Sequence, residues 1–236
     1  MIRIATVAGA AAVAILTGAA TLGLAVGTAQ ATPGNAPSGA GIRYGDPTAA
    51  APFWRYQQYD DDCVEMAVAD VVGELTGAQP SEHEIVALAR STPSSVHPGP
   101  VYKKPTRHRS GDGTSFDDEP TLLAHYGIRA VSTDRESAAT THVPTGMAAL
   151  EQDLAKGRKV IAGVNAEVIW GDPVEDKDSH GNPLANHAVV VTGIDTAAGV
   201  VHLNDSGSEQ GRDEQVPIDV FVRSWDGSDD QMTVTD

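Results

Sequence analysis

Two runs near the C-terminus decide the fold: His187-Ala188-Val189-Val190-Val191-Thr192-Gly193-Ile194-Asp195 and Val200-Val201-His202-Leu203-Asn204-Asp205. Both are short and rich in β-branched residues, and the turn-like Thr196-Ala197-Ala198-Gly199 separates them. They predict a β-hairpin. A loop centred near Thr196 pairs 189 with 203 and 191 with 201, which sets His187 directly opposite Asp205. Directly opposed residues hold their Cβ atoms ~4.5–5.5 Å apart, so the carboxylate can orient the imidazole. A one-residue slip turns Asp205 to the other face and presents Asn204, whose amide can also orient a ring. His202 alternates to the opposite face from His187.

Outward from the hairpin, Lys159 to Ile169 reads as one strand or two and Gln231 to Thr235 as a last strand, with a short helix over Pro217 to Trp225. The upstream part is helical. Val64, Val68, Val71, Val72 and Leu75 form one stripe at three- and four-residue spacing, predicting a helix from Cys63 to Leu75. Asp60, Asp61 and Asp62 precede it as acidic caps, and Gly77 closes it. Ser81 with Glu84 is a capping box for a second helix to Ala89. Further helices are expected over Pro120 to Tyr126 and Gly146 to Lys156, with a strand at Ile128 to Ser132. Ser91 to Glu119, rich in Pro, Gly, Ser and charge, reads as a long surface loop. Helices first and adjacent strands after predict an α+β fold: N-terminal helices packed on a mainly antiparallel sheet.

The first 31 residues have the pattern of a secretory signal peptide: Arg3, an apolar run from Ile4 to Val26, and the small-x-small box Ala29-Gln30-Ala31. The predicted mature chain begins at Thr32, is secreted or held in the cell envelope, and has no stable membrane insertion once the leader is cut. Residues 32–52, rich in Pro, Gly and Ala, are expected to be a flexible lead-in to one domain over 53–236. Thirty-two acidic against sixteen basic residues, a net charge of −16, argue against nucleic acid or anionic lipid as a partner. Composition says nothing of oligomeric state.

Cys63 is the single cysteine of the 236-residue chain. Exported proteins normally pair their cysteines, so a lone one points either to a reactive thiol or to a small buried hydrophobe. Placement at a helix start favours the former, because unpaired backbone N–H groups there stabilise a thiolate. The three aspartates beside it act in the opposite direction. Acyl transfer also needs donors for an oxyanion, and Gln57 and Gln58, six and five residues upstream, are candidates beside the Cys63 N–H.

Taken in order, Gln57-Gln58-Tyr59-Asp60-Asp61-Asp62-Cys63, then His187 to Asp195, then Leu203-Asn204-Asp205-Ser206-Gly207, resemble the peptidase C39-like family. That family is a branch of the papain-like cysteine peptidases, related to the peptidases that cut leaders after a double glycine. Gly113-Thr114-Ser115 matches a further feature of the group. The resemblance implies a papain-like fold, a Cys63–His187–Asp205 catalytic triad, and Gln57, or alternatively Gln58, as oxyanion donor. It implies thiol-dependent peptide or amide hydrolysis with a peptide or protein as substrate and no cofactor. One departure stands beside the nucleophile: Val64-Glu65 replaces the usual Gly-Pro or similar. Two rival readings remain, a catalytically silent fold that binds a peptide or protein, and a cell-wall amidase of the NlpC type. Metal binding fits poorly, since a lone Cys with scattered His lacks zinc spacing and the Asp176–His187 stretch lacks the terminal Glu of a calcium loop.

Overall fold

A computed structural model describes residues 41–103 and 113–236. The leader pattern of residues 1–31 and the first part of the expected lead-in lie outside the described residues. Seven strands form one sheet: β1 (Arg43–Gly45), β2 (Ala130–Thr133), β3 (Val160–Val164), β4 (His187–Asp195), β5 (Val200–Asn204), β6 (Glu214–Pro217) and β7 (Met232–Thr235). Their order is β2-β7-β3-β4-β5-β6, with β1 beside the far half of β4, and every pairing is antiparallel. The helices are α1 (Pro47–Ala50), α2 (Cys63–Thr76), α3 (Glu82–Ser91), α4 (Glu119–His125), α5 (Ala138–Thr141), α6 (Met147–Ala155), α7 (Ala166–Trp170) and α8 (Ile218–Trp225).

The alternation of β4 builds two cores. Ala188 and Val190 pack with Val64, Val68, Val71 and Val72 of α2 and with the apolar residues of α3 and α4. Val189 and Val191 turn the other way, against Leu150 and Leu154 of α6 and Phe221 and Trp225 of α8. All nine residues of β4 are buried, which suits a central strand covered on both faces. Helices therefore lie on both sides of the sheet. The class is α+β, with helices packed on an antiparallel sheet, as the sequence leads one to expect.

The local signals act as their chemistry dictates. Ser81 and Glu84 form a complete capping box on α3, and Gly77 ends α2 in the left-handed region at φ 72°. Asp62 occupies the N-cap position of α2, yet its side chain makes no capping bond. It turns into the interior instead, which leaves the N–H groups of the helix's first turn without that cap.

Four expectations are corrected. The run 159–169 is not all strand: β3 ends at Val164, Asn165 caps α7 by accepting from the Val168 N–H, and Gly171 closes the turn in the left-handed region. The Ser91–Glu119 stretch is not wholly superficial, because Val101 and Tyr102 are buried against α2 and α3. Arg43–Phe53 is structured rather than a lead-in. Its strand pairs Tyr44 with Ile194, and Gly45 adopts φ 75° where an added Cβ would sit 2.3 Å from the Thr192 carbonyl oxygen. The hairpin register differs too. Val191 pairs with Leu203 and Val190 with Asn204, and a bulge at Thr192 shifts the rest so that Gly193 pairs with His202. The tip carries the bulge because the Thr192 hydroxyl bonds the His202 carbonyl, while Asp195 folds back on the Ala197 and Ala198 N–H groups.

Candidate active site

The register sets the site. Relative to the symmetric pairing, β5 is displaced by two residues near His187, so Asp205 is diagonal to His187, not opposite. A two-residue displacement keeps the face, whereas one residue would exchange it. Asn204 points to α2, where its amide donates to Asp70 Oδ2 at 2.9 Å and to the Ala50 carbonyl at 3.0 Å. Asp205 points to the other side and reaches the ring: His187 Nε2 lies 2.6 Å from Asp205 Oδ1. His202, as expected, turns elsewhere and bonds Asp213 at 2.7 Å through Nδ1.

Asp205 is wholly buried and fully engaged. Besides His187 it accepts the Gly207 N–H at 2.8 Å on Oδ1 and the Trp170 indole N–H at 2.8 Å on Oδ2. Its backbone is fixed as well, since its carbonyl accepts from Trp54 Nε1 at 2.6 Å and its N–H donates to Gly211. Burial by itself would raise the carboxyl's pKa. The charge of His187 and the hydrogen bonds from His187, Trp170 and Gly207 outweigh that and hold it below its ordinary value. The imidazole moves in the complementary direction. Burial favours the neutral ring, but the Asp205 charge and hydrogen bond, with a further contribution from Cys63, push it up to about 10. His187 and Asp205 thus form a buried ion pair near neutral pH.

Cys63 opens α2 and stands close enough to the same ring to help raise its pKa. With Nε2 committed to Asp205, Nδ1 is the nitrogen left for the thiol. The sulfur, the ring and Gln57 share one cleft of about 710 Å³. Gln57 is tied down on both sides: its N–H and Oε1 bond Ser206, and its Nε2 donates to the Tyr59 carbonyl at 2.7 Å. Gln58 is exposed, bonds Glu82 through its backbone, and is not part of the cleft wall. Of the two candidate glutamines, Gln57 is the one that lines the cleft with Cys63. Gly113, Thr114 and Ser115 form the facing wall.

Of the acidic run ahead of the thiol, burial quenches Asp62, while Asp60 and Asp61 line the cleft. Asp62 is fully buried, and burial, reinforced by Glu82, pushes its carboxyl up to about 8. Glu65, also fully buried, is pushed up to about 7 by burial, with the Thr114 hydroxyl donating to its Oε1 at 2.6 Å. Both side chains face inward, so the Val64-Glu65 departure leaves the cleft surface untouched. At mildly acidic pH these two carboxyls are neutral, which removes the share of the expected repulsion that Asp62 would supply.

The chain belongs to the peptidase C39-like family. The family's model matches residues 47–233. Uncharacterized proteins of Mycobacterium tuberculosis (strains H37Rv and CDC 1551) and Mycobacterium bovis are each 56% identical over 236 residues, covering 99% of this chain and 98% of theirs. Among solved structures, a protein assigned as a C39-like peptidase from Bacillus anthracis superimposes with a TM-score of 0.57 at 18% identity, covering 83% of this chain and 98% of that one. A double-glycine-motif protease from an AMS/PCAT transporter, solved with its leader peptide, gives a TM-score of 0.43 at 16% identity over 76% of this chain and 88% of its own. The family match and the Bacillus anthracis structure together show the C39-like fold for this chain.

Two residues of this C39-like cleft escape the sequence reading. Trp170 stands over the His187 ring with centroids 5.5 Å apart, and Gly207 lies so close that an added Cβ would be 2.8 Å from the indole and 3.0 Å from the imidazole. The Asn165 cap and Gly171 stop are the signals that could have placed Trp170 at a helix end. Nothing in the sequence ties its indole to Asp205, because that contact joins segments 35 residues apart.

Proposed function

We propose that the protein is an exported cysteine peptidase or amide hydrolase with a Cys63–His187–Asp205 triad. The observation that supports this is the buried imidazole of His187 bonded to the Asp205 carboxylate, with Cys63 lining the same cleft. In the reading proposed here, His187 already holds its proton as the imidazolium of the ion pair, and Cys63 stands beside it as a thiolate at the start of α2. The thiolate attacks the carbonyl carbon of a peptide in the cleft, and the carbonyl π electrons move to oxygen. The N–H groups at the helix start and the second amide hydrogen of Gln57 support that oxyanion. Collapse breaks the C–N bond as His187 gives its proton to the leaving amine. His187 then deprotonates a water, which attacks the thioester and returns Cys63 as thiolate. Asp205 fixes the ring tautomer throughout. No step needs a cofactor.

The test is alkylation of Cys63 by iodoacetamide across pH. In wild type the reaction should remain fast near pH 6, and His187→Ala should slow it by roughly a hundredfold. Equal rates in the two proteins would favour a fold that binds a peptide without cleaving it.

Export rests on the leader pattern in residues 1–31. Among the described residues no helix is long and apolar enough to cross a membrane. Secreted material should begin at Thr32 on N-terminal sequencing, and recovery of a membrane-bound form starting at Met1 would sink that part of the reading.

A further inference from the structure

We propose that Trp170 is a positioning residue of the triad, fixing Asp205 through its indole N–H and roofing the His187–Asp205 pair with its ring. The inference rests on the triad reading above. Asp205 Oδ2 has Trp170 Nε1 as its donor at 2.8 Å, while Oδ1 serves His187 and the Gly207 N–H. An aspartate can rotate about its Cβ–Cγ bond. With a donor committed to each oxygen, it presents one fixed oxygen to His187 Nε2. The indole therefore sets the direction in which the imidazole points, and through it the nitrogen offered to Cys63.

The ring has a second task. It is tilted 58° over the imidazole, and Gly207 packs beneath both, with no room for a side chain. Together they close one side of a hydrogen-bonded ion pair that water would weaken. Trp170 is nonetheless 41% exposed, because its outer edge walls the cleft and an adjoining groove of about 470 Å³ formed with Tyr56, Glu209 and Glu214. A bound peptide lying along that wall would press on the residue that holds Asp205. Substrate seating and alignment of the triad are thus linked through one side chain. Three features of the sequence combine to place it: the Asn165 cap, the five-residue helix, and the Gly171 stop.

Trp170→Phe keeps the ring and removes the donor, so it separates shielding from hydrogen bonding. The measurement is alkylation of Cys63 in the full mature chain between pH 3.5 and 6, where Glu214, which also senses the pair, stays protonated; the cleft carboxyls Asp60, Asp61, Glu167 and Asp176 are common to wild type and variant, so the comparison between the two isolates the indole. Losing a donor to an ionised carboxylate should move the acid limb of the profile up by about one pH unit and slow the reaction roughly tenfold at pH 4.5. The same substitution in an Asp205→Ala background should add less than twofold, because the two residues then act as one unit. An unshifted limb in Trp170→Phe, or an equal slowing in both backgrounds, would overturn the proposal. Should Trp170→Phe fail to fold, the assigned indole N–H signal of wild type decides: it should resist hydrogen exchange and move in Asp205→Asn. Exchange as fast as in free tryptophan would equally overturn the proposal. Failure of the triad reading has a different signature, since His187→Ala would then alkylate like wild type while the indole signal still reported Asp205.

Discussion

Asp205→Ala is expected to cost about 3–5 kcal/mol of folding stability at pH 6, the range for breaking a buried ion pair by removing one partner. The size follows from what is stranded. His187 is 4% exposed and loses its counter-ion, and the Trp170 and Gly207 N–H groups lose their acceptor. Asp205→Asn keeps the shape and one acceptor oxygen and should lose less than half as much. Urea denaturation of the two variants beside wild type checks this, and a change below about 1 kcal/mol in Asp205→Ala would mean that the pair is not formed. The pH window has a definite sign. Asp205 is held below its ordinary value, so its contribution is present above about pH 4 and fades as pH falls through the folded value. His187 is raised, so its contribution is complete below about pH 6.5 and is lost as pH rises toward about 10.

Stability should fall by several kcal/mol between pH 5 and pH 9. Asp62, Glu65 and Glu119 are fully buried, and burial raises them to about 8, about 7 and about 8. In the unfolded chain each ionises near pH 4. Between that pH and the folded value the native state holds more protons, so stability is complete below about pH 4 and drains away as pH climbs through 7 and 8. Every tenfold difference in proton affinity between the folded and unfolded chain is worth about 1.4 kcal/mol, which makes three such groups a large contribution for one domain. His187 acts in the same direction. Glu119→Gln, which cannot ionise, should be less stable than wild type by at most about 1 kcal/mol at pH 5 yet more stable at pH 9. Chemical denaturation at pH 5, 7 and 9 provides the readout. A wild-type stability that is flat or rising over this range would show these carboxyls to be solvated. The linkage also bears on the proposed chemistry, because Asp62 and Glu65 flank Cys63 and become negative at the same high pH that weakens the fold.

What the sequence carries by itself is local. The three- and four-residue spacing of Val64, Val68, Val71 and Val72 fixes α2 with Cys63 at its start, and Ser81 with Glu84 fixes the start of α3. The β-branched runs around Thr196 are enough to predict the hairpin. These features depend on backbone sterics and on side chains within one or two turns of each other, so the order of residues is enough to read them. The tertiary structure decides what depends on distant partners. It sets both the face of Asp205 and its diagonal rather than direct pairing, through the tip register and a one-residue bulge at Thr192. It seats Gln57 in the cleft wall beside Ser206 and leaves Gln58 exposed, and it turns Asn204 to Asp70. Burial silences the charge of Asp62 and Glu65, which composition counts as repulsive. Helix α7 lies in a run that reads equally as strand, and Trp170 reaches Asp205 through the packing of α7 beside the hairpin. Desolvation and long-range hydrogen bonds are properties of the assembled chain, and no spacing rule within a segment contains them.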